Sequence, residues 1–172
     1  MSGMPMSHRL IAALSGILGV HAGSTVAADV AEVATRAVQQ PIPACERAFQ
    51  DALDNGYVVI PVGETVCIDL EVKGTDVTPA KVTSKATAGR TLIIKAWREP
   101  GQPDTFMSVH NPTHAPLRYR AYISRAPGQL EYTSSCPVRS EFPTIEHWPY
   151  FIGIIAMNSF KLLTESDDMT CR

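Results

Sequence analysis

Four groups of residues in this chain carry the atoms for localised chemistry: thiols, a thioether with two imidazoles, hydroxyls near a base, and a basic row with an aromatic. The thiols are Cys45, Cys67, Cys136 and Cys171. None are spaced as Cys-x-x-Cys, the arrangement of a reactive dithiol, and an even count in an exported chain reads instead as two disulfides. Met107, His110 and His114 place a sulfur and two imidazoles close together, a ligand set suited to copper. In a strand Met107 and His110 face opposite sides, so the simpler expectation puts Met107 in the core and both histidines at a solvated hairpin. Metal binding through these three residues is therefore the alternative reading, and no cofactor is expected.

The hydroxyls lie in Thr133-Ser134-Ser135-Cys136-Pro137, with His147 or Glu146 as the available base. Hydroxyls beside a cysteine and a proline ordinarily bond neighbouring backbone groups. The chain has no Gly-x-Ser-x-Gly elbow, no His-Glu-x-x-His and no phosphate-cradling glycine loop, which leaves a hydrolase as the least supported class. Two surfaces are better candidates for binding. Arg118, Arg120 and Tyr122 alternate along one segment and would form an outward basic strip with an interleaved aromatic, suited to an anionic glycan, a lipid head group or an acidic protein. The competing expectation pairs those arginines with Asp69 and Glu71 on a neighbouring strand, at about 0.2 to 1 kcal/mol per pair. The second surface is Glu146 to Tyr150, where His147, Trp148 and Tyr150 would form either a contact patch or a plug at one end of the domain.

Strands must position most of these residues. The exception is Pro43 to Asn55, where Pro43, an apolar stripe of Ala44, Ala48, Phe49, Ala52 and Leu53, and a following Gly56 predict one short helix. Tyr57 to Val62 is a compact apolar run. Val66 to Val72 alternates, placing Val66, Ile68, Leu70 and Val72 inward and Cys67, Asp69 and Glu71 outward. Lys73 to Arg90 reads as a long loop with at most a short edge strand. Further strands are predicted at Thr91 to Trp97, Phe106 to His110, Leu117 to Ser124 and, long and bent, Phe151 to Thr164; Ser134 to Tyr150 reads as irregular. In the Leu117 segment, Leu117, Tyr119, Ala121 and Ile123 face inward. No long periodic helix follows any strand, so nothing argues for a parallel sheet, and the pattern predicts a mainly β chain: a single antiparallel, immunoglobulin-like β-sandwich with one short N-terminal helix.

Four cysteines allow three disulfide patterns, which sequence alone does not settle, and the outward position of Cys67 favours one of them. Cys67 is expected to pair with Cys45 as a staple on the helix, leaving Cys136 and Cys171 to clamp the irregular segment to the C-terminal tail; each bond would contribute roughly 3 to 4 kcal/mol on a chain-entropy estimate. At the other end, Leu10 to Val20 is an apolar run too short to span a bilayer, followed by Val26-Ala27-Ala28 with the small residues of a cleavage site. The expected organisation is a signal peptide at 1–28, a flexible segment at 29–42 and a disulfide-stabilised sandwich at 43–172.

The net charge is −2, with nine acidic and three basic residues from Asp29 to Ala80 but nine basic and three acidic from Lys81 to Arg139. A pI near 6.2 argues against nucleic acid as a partner. The expected function is thus an exported, soluble, non-enzymatic binding module, periplasmic or secreted, with no membrane span in its mature form. Its partner is expected to be another extracytoplasmic protein or an anionic ligand; a small periplasmic copper-binding protein is the alternative.

Overall fold

The computed structural model describes residues 45–140 and 142–172. The expected signal peptide, the 29–42 segment and the first two residues of the predicted helix lie outside the described residues. A 3-10 helical turn at Cys45–Arg47 leads into ten strands: β1 Leu53–Asp54, β2 Tyr57–Pro61, β3 Thr65–Lys73, β4 Asp76–Val82, β5 Thr91–Arg98, β6 Thr105–His110, β7 Leu117–Ser124, β8 Glu131–Thr133, β9 Thr144–Trp148 and β10 Ile154–Leu162. The chain is mainly β, and every strand pairing is antiparallel. Among the described residues no helix is long and apolar enough to cross a membrane.

The strand order is β1-β2-β10-β4-β3-β5-β6-β9, with β7 added to the other side of β10 and β8 to β7. Strand β10 is the hub. Its first half lies between β2 and β7; after a register shift between Asn158 and Lys161, Lys161 pairs with Asp76 of β4. Ser159 adopts a left-handed φ of 54° at that shift, the local bend that lets one strand serve both arms of the sheet. Both arms contribute alternate residues to one core: Val58 and Ile60, Ile155 and Met157, Tyr119 and Ile123 from one, Ile68, Ile94, Met107 and Trp148 from the other. Residues at two-residue spacing fill this core because successive side chains leave a strand on opposite faces.

The predicted helix is not formed in the described residues. After the 3-10 turn the backbone of this stretch is spent elsewhere: the Phe49 N–H donates to Thr65 O at 2.8 Å, and Ala52 O accepts from the Val59 N–H at 2.7 Å. Ala48 and Ala52 are buried, so the apolar stripe reports a loop packed on the sheet. Asn55-Gly56 is a two-residue hairpin turn between β1 and β2, with φ of 47° and 81°. Asn-Gly is the preferred pair for that geometry, since both residues need positive φ.

The predicted loop at 73–90 contains the seven-residue strand β4. Pro79, opposite Leu70, has no N–H to donate, and the register shifts between Asp69 and Leu70; the Leu70 N–H donates to Arg90 O at 3.0 Å. The segment 134–150, expected to be irregular, contains β9 paired along β6. Val72 is 45% exposed, not inward as expected, because β3 outruns the core at that end. On the opposite face of β3 Cys67 and Asp69 are buried, and Cys67 joins Cys45, Ala48 and Ile93 in a small second cluster.

Candidate functional site

Cys45 is bonded to Cys67 and Cys136 to Cys171. The first bond lies inside the small second cluster, with Cys45 3% and Cys67 0% exposed. The second has a different setting, with Cys136 half-buried and Cys171 exposed. Beside it, Ser135 and Arg172 exchange two backbone hydrogen bonds, at 2.7 and 2.9 Å.

The three residues of the copper alternative take different positions. Met107 is fully buried in the main core, while His110 lies on the other face of β6 and His114 is exposed in the following turn. Among the described residues no cluster of three or more His, Cys, Asp or Glu side chains could hold a metal ion. Asn111 builds that turn. Its buried amide donates to Ala115 O at 2.8 Å and Val138 O at 3.0 Å, and its Oδ1 accepts from the Thr113 N–H and hydroxyl.

The hydroxyls and their supposed bases are also engaged elsewhere. Ser135 Oγ donates to Tyr119 O at 3.0 Å, and Glu146 Oε1 accepts from the Cys136 N–H at 2.9 Å. Burial raises the Glu146 carboxyl above its usual range, opposed by that hydrogen bond. Burial, reinforced by the neighbouring Glu146 charge, likewise pushes the Tyr119 phenol far up, and its hydroxyl has no hydrogen-bond partner.

His147, Trp148 and Tyr150 do not form a single patch. His147 lies on the outer face of β9, stacked on Phe106 at 4.7 Å, which in turn stacks on Trp97 at 5.5 Å; its Nε2 is 2.6 Å from Asp104 Oδ1. Trp148 points into the core, 6% exposed, with Nε1 donating to Thr133 Oγ1 at 3.0 Å. Tyr150 lies in the β9–β10 connection with the Arg125 guanidinium 5.3 Å from its ring centre. Strand alternation separates the first two, as adjacent residues must face opposite sides.

Arg118, Arg120 and Tyr122 do share the outer side of β7. The expectation that Asp69 and Glu71 neutralise these arginines is corrected, because β7 is flanked by β10 and β8, not by β3. Asp69, 5% exposed, accepts from Thr91 Oγ1 at 2.8 Å and lies 3.4 Å from Arg90 and 3.9 Å from Lys81. Arg118 donates to the carbonyls of Asp168 and Thr170 in the tail. Arg120 is exposed, with no ion-pair partner among the described residues.

Tyr122 is the centre of an aromatic cluster absent from the sequence reading. Tyr57 meets it edge-on at 5.7 Å and Tyr132 at 5.8 Å. Register explains this, since Val59, Ala156, Tyr122 and Tyr132 form one row across β2, β10, β7 and β8. The same face exposes Ile154 (39%), Leu130 (51%) and Tyr132 (55%). A cleft of about 290 Å³ opens beside them, floored by Val59 and Ala156 and edged by Tyr57, Leu130, Ile154 and Asp54. Family models, curated proteins and solved structures were all compared with the chain, and none matches.

Proposed function

We propose that this protein is a non-enzymatic binding module that engages another extracytoplasmic protein through the outer face of β2, β10, β7 and β8. The observation that carries the reading is the cluster of Tyr57, Tyr122 and Tyr132 beside exposed Ile154 and Leu130, with Arg120 at its border. Tyrosine and arginine are enriched at protein interfaces, where large, rigid side chains exclude water at a modest entropy cost. An exposed apolar cluster with a cleft in it costs solubility unless a partner covers it. Arg120 adds affinity for an acidic rim on that partner.

Two other features support work outside the cytoplasm: the signal-like N-terminal sequence and the pairing of all four cysteines as disulfides. In this reading the two arms of the sheet are the layers of a β-sandwich. The immunoglobulin-like comparison extends to that layering and to loops gathered at the ends.

Tyr132→Glu and Ile154→Glu place charge on the exposed face without touching the core. Both variants are expected to fold like the wild type by circular dichroism and to lose crosslinked partners recovered from the host's extracytoplasmic fraction. Recovery of the same partners in the same yield would defeat the proposal.

A further inference from the structure

We infer that the Cys136–Cys171 disulfide is a site of thiol–disulfide exchange with an external dithiol, and that its opening releases the C-terminal tail, Thr164 to Arg172. The two disulfides differ in the access they give a nucleophile. Cys45 and Cys67 are sealed beneath the N-terminal turn, whereas Cys171 is exposed and Cys136 half-buried. Exchange requires a thiolate to reach a sulfur directly, so access decides which bond reacts first.

The attachment of the tail is the second observation. Leu163, 4% exposed, is the last buried residue of the chain; beyond it only Asp167 is even half-buried. The tail is held by its backbone pair with Ser135, by the Arg118 guanidinium on the Asp168 and Thr170 carbonyls, and by turns that Asp167 and Asp168 close internally. Among the described residues only four hydrogen bonds, the Ser135 pair and the two from Arg118, join the tail to the rest of the domain. The others lie within the tail, so the covalent link is its main attachment.

The exchange balances as follows. A thiolate of the dithiol attacks Cys171 Sγ, the electrons of the S–S bond pass to Cys136 as its thiolate, and a mixed disulfide forms. The second thiol of the dithiol, deprotonated, attacks its own sulfur in that mixed disulfide and expels the Cys171 thiolate. The dithiol leaves oxidised to a disulfide, the protein is reduced by two electrons, and both cysteine thiolates take up protons from water. Release has two structural effects. Arg118 loses its carbonyl acceptors and becomes free beside Arg120. The tail also forms one wall, through Glu165, Asp167 and Met169, of a cleft of about 690 Å³ whose other wall carries Arg139 and Phe142, and that cleft opens. The value of a freed Arg118 for partner binding rests on the function proposed above; the exchange and the release do not.

The test is graded dithiothreitol on the folded, full-length mature protein, with iodoacetamide trapping, peptide mapping and hydrogen exchange at each step. Alkylation of Cys136 and Cys171 is expected at a reductant concentration at least tenfold below that needed for Cys45 and Cys67. Exchange should then accelerate in 164–172 and stay unchanged in β3, β5 and β10. The Cys136→Ser/Cys171→Ser double variant should show the same tail exchange with no reductant. Opening of both disulfides together, a tail that stays protected once its bond is reduced, or loss of the core on selective reduction would each overturn the inference. None of these outcomes depends on a partner, so they are separable from failure of the binding proposal.

Discussion

Tyr119 places a phenol inside the core without a hydrogen-bond partner, next to a carboxylate whose charge disfavours its ionisation. A buried hydroxyl left unpaired forfeits its hydration for nothing. Tyr119→Phe is therefore expected to raise unfolding free energy by about 1 kcal/mol in urea titrations; a comparable loss would mean that the hydroxyl is bonded. Glu146 makes the matching argument through pH. Its carboxyl is raised in the folded state, so its contribution is complete below the unfolded value of about 4.3 and lost as pH rises through the higher folded one. Glu146→Gln keeps an oxygen for the Cys136 N–H and removes the charge. Its Tm should match wild type near pH 3 and exceed it near pH 7, and equal curves across that range would refute the assignment. At this scale the sequence was informative where a residue's face was decided by alternation, as for Cys67, Tyr119 and Arg120. It assigned Asp69 to the wrong partners, because Lys81, Arg90 and Thr91 reach it from other segments.

Whether an element was legible depended on how long its pattern ran. Strand β7 alternates along its length, β5 carries Leu92, Ile93, Ile94, Ala96 and Trp97, and both stand close to where the pattern predicts. Strand β9 was missed because its five residues mix Thr, Ile, Glu, His and Trp, and its pairing with β6 crosses a long connection. The helix was predicted from an apolar spacing that a packed loop satisfies equally well, and Asn55-Gly56 was read as a stop where it is a turn. The binding face was only partly readable: one row of it lies on β7, but Tyr57 and Tyr132 reach Tyr122 through registers that no local pattern announces. The tail is the element most sensitive to conditions. Asp167 is lowered by the Thr164 backbone and hydroxyl, and Asp168 by the Thr170 hydroxyl and backbone. Both carboxyls thus stabilise the tail fully above the unfolded value of about 3.9, and the effect fades as pH falls through their lower folded values. Amide chemical shifts of 164–172 should be constant from pH 7 to 5 and move below pH 4, ahead of any change in the strands; simultaneous change would refute it.

For the molecule as a whole, one core joins both arms of the sheet, so the arms have no independent stability to lose. Cys45→Ala/Cys67→Ala, which opens a link across 22 positions, should lower unfolding free energy by about 3 kcal/mol while leaving a single transition. Two resolved transitions in calorimetry would show that the arms are separate units. The position of β10 has a consequence for how the chain comes into being. It is the last strand in sequence, yet β2, β4 and β7 all depend on it for a neighbour. A chain emerging from a ribosome N-terminus first cannot complete this sheet until β10 has followed the other nine strands. The architecture thus keeps the nascent sheet open: the strand that commits the fold follows the nine others, and the sheet stays pliable until it arrives.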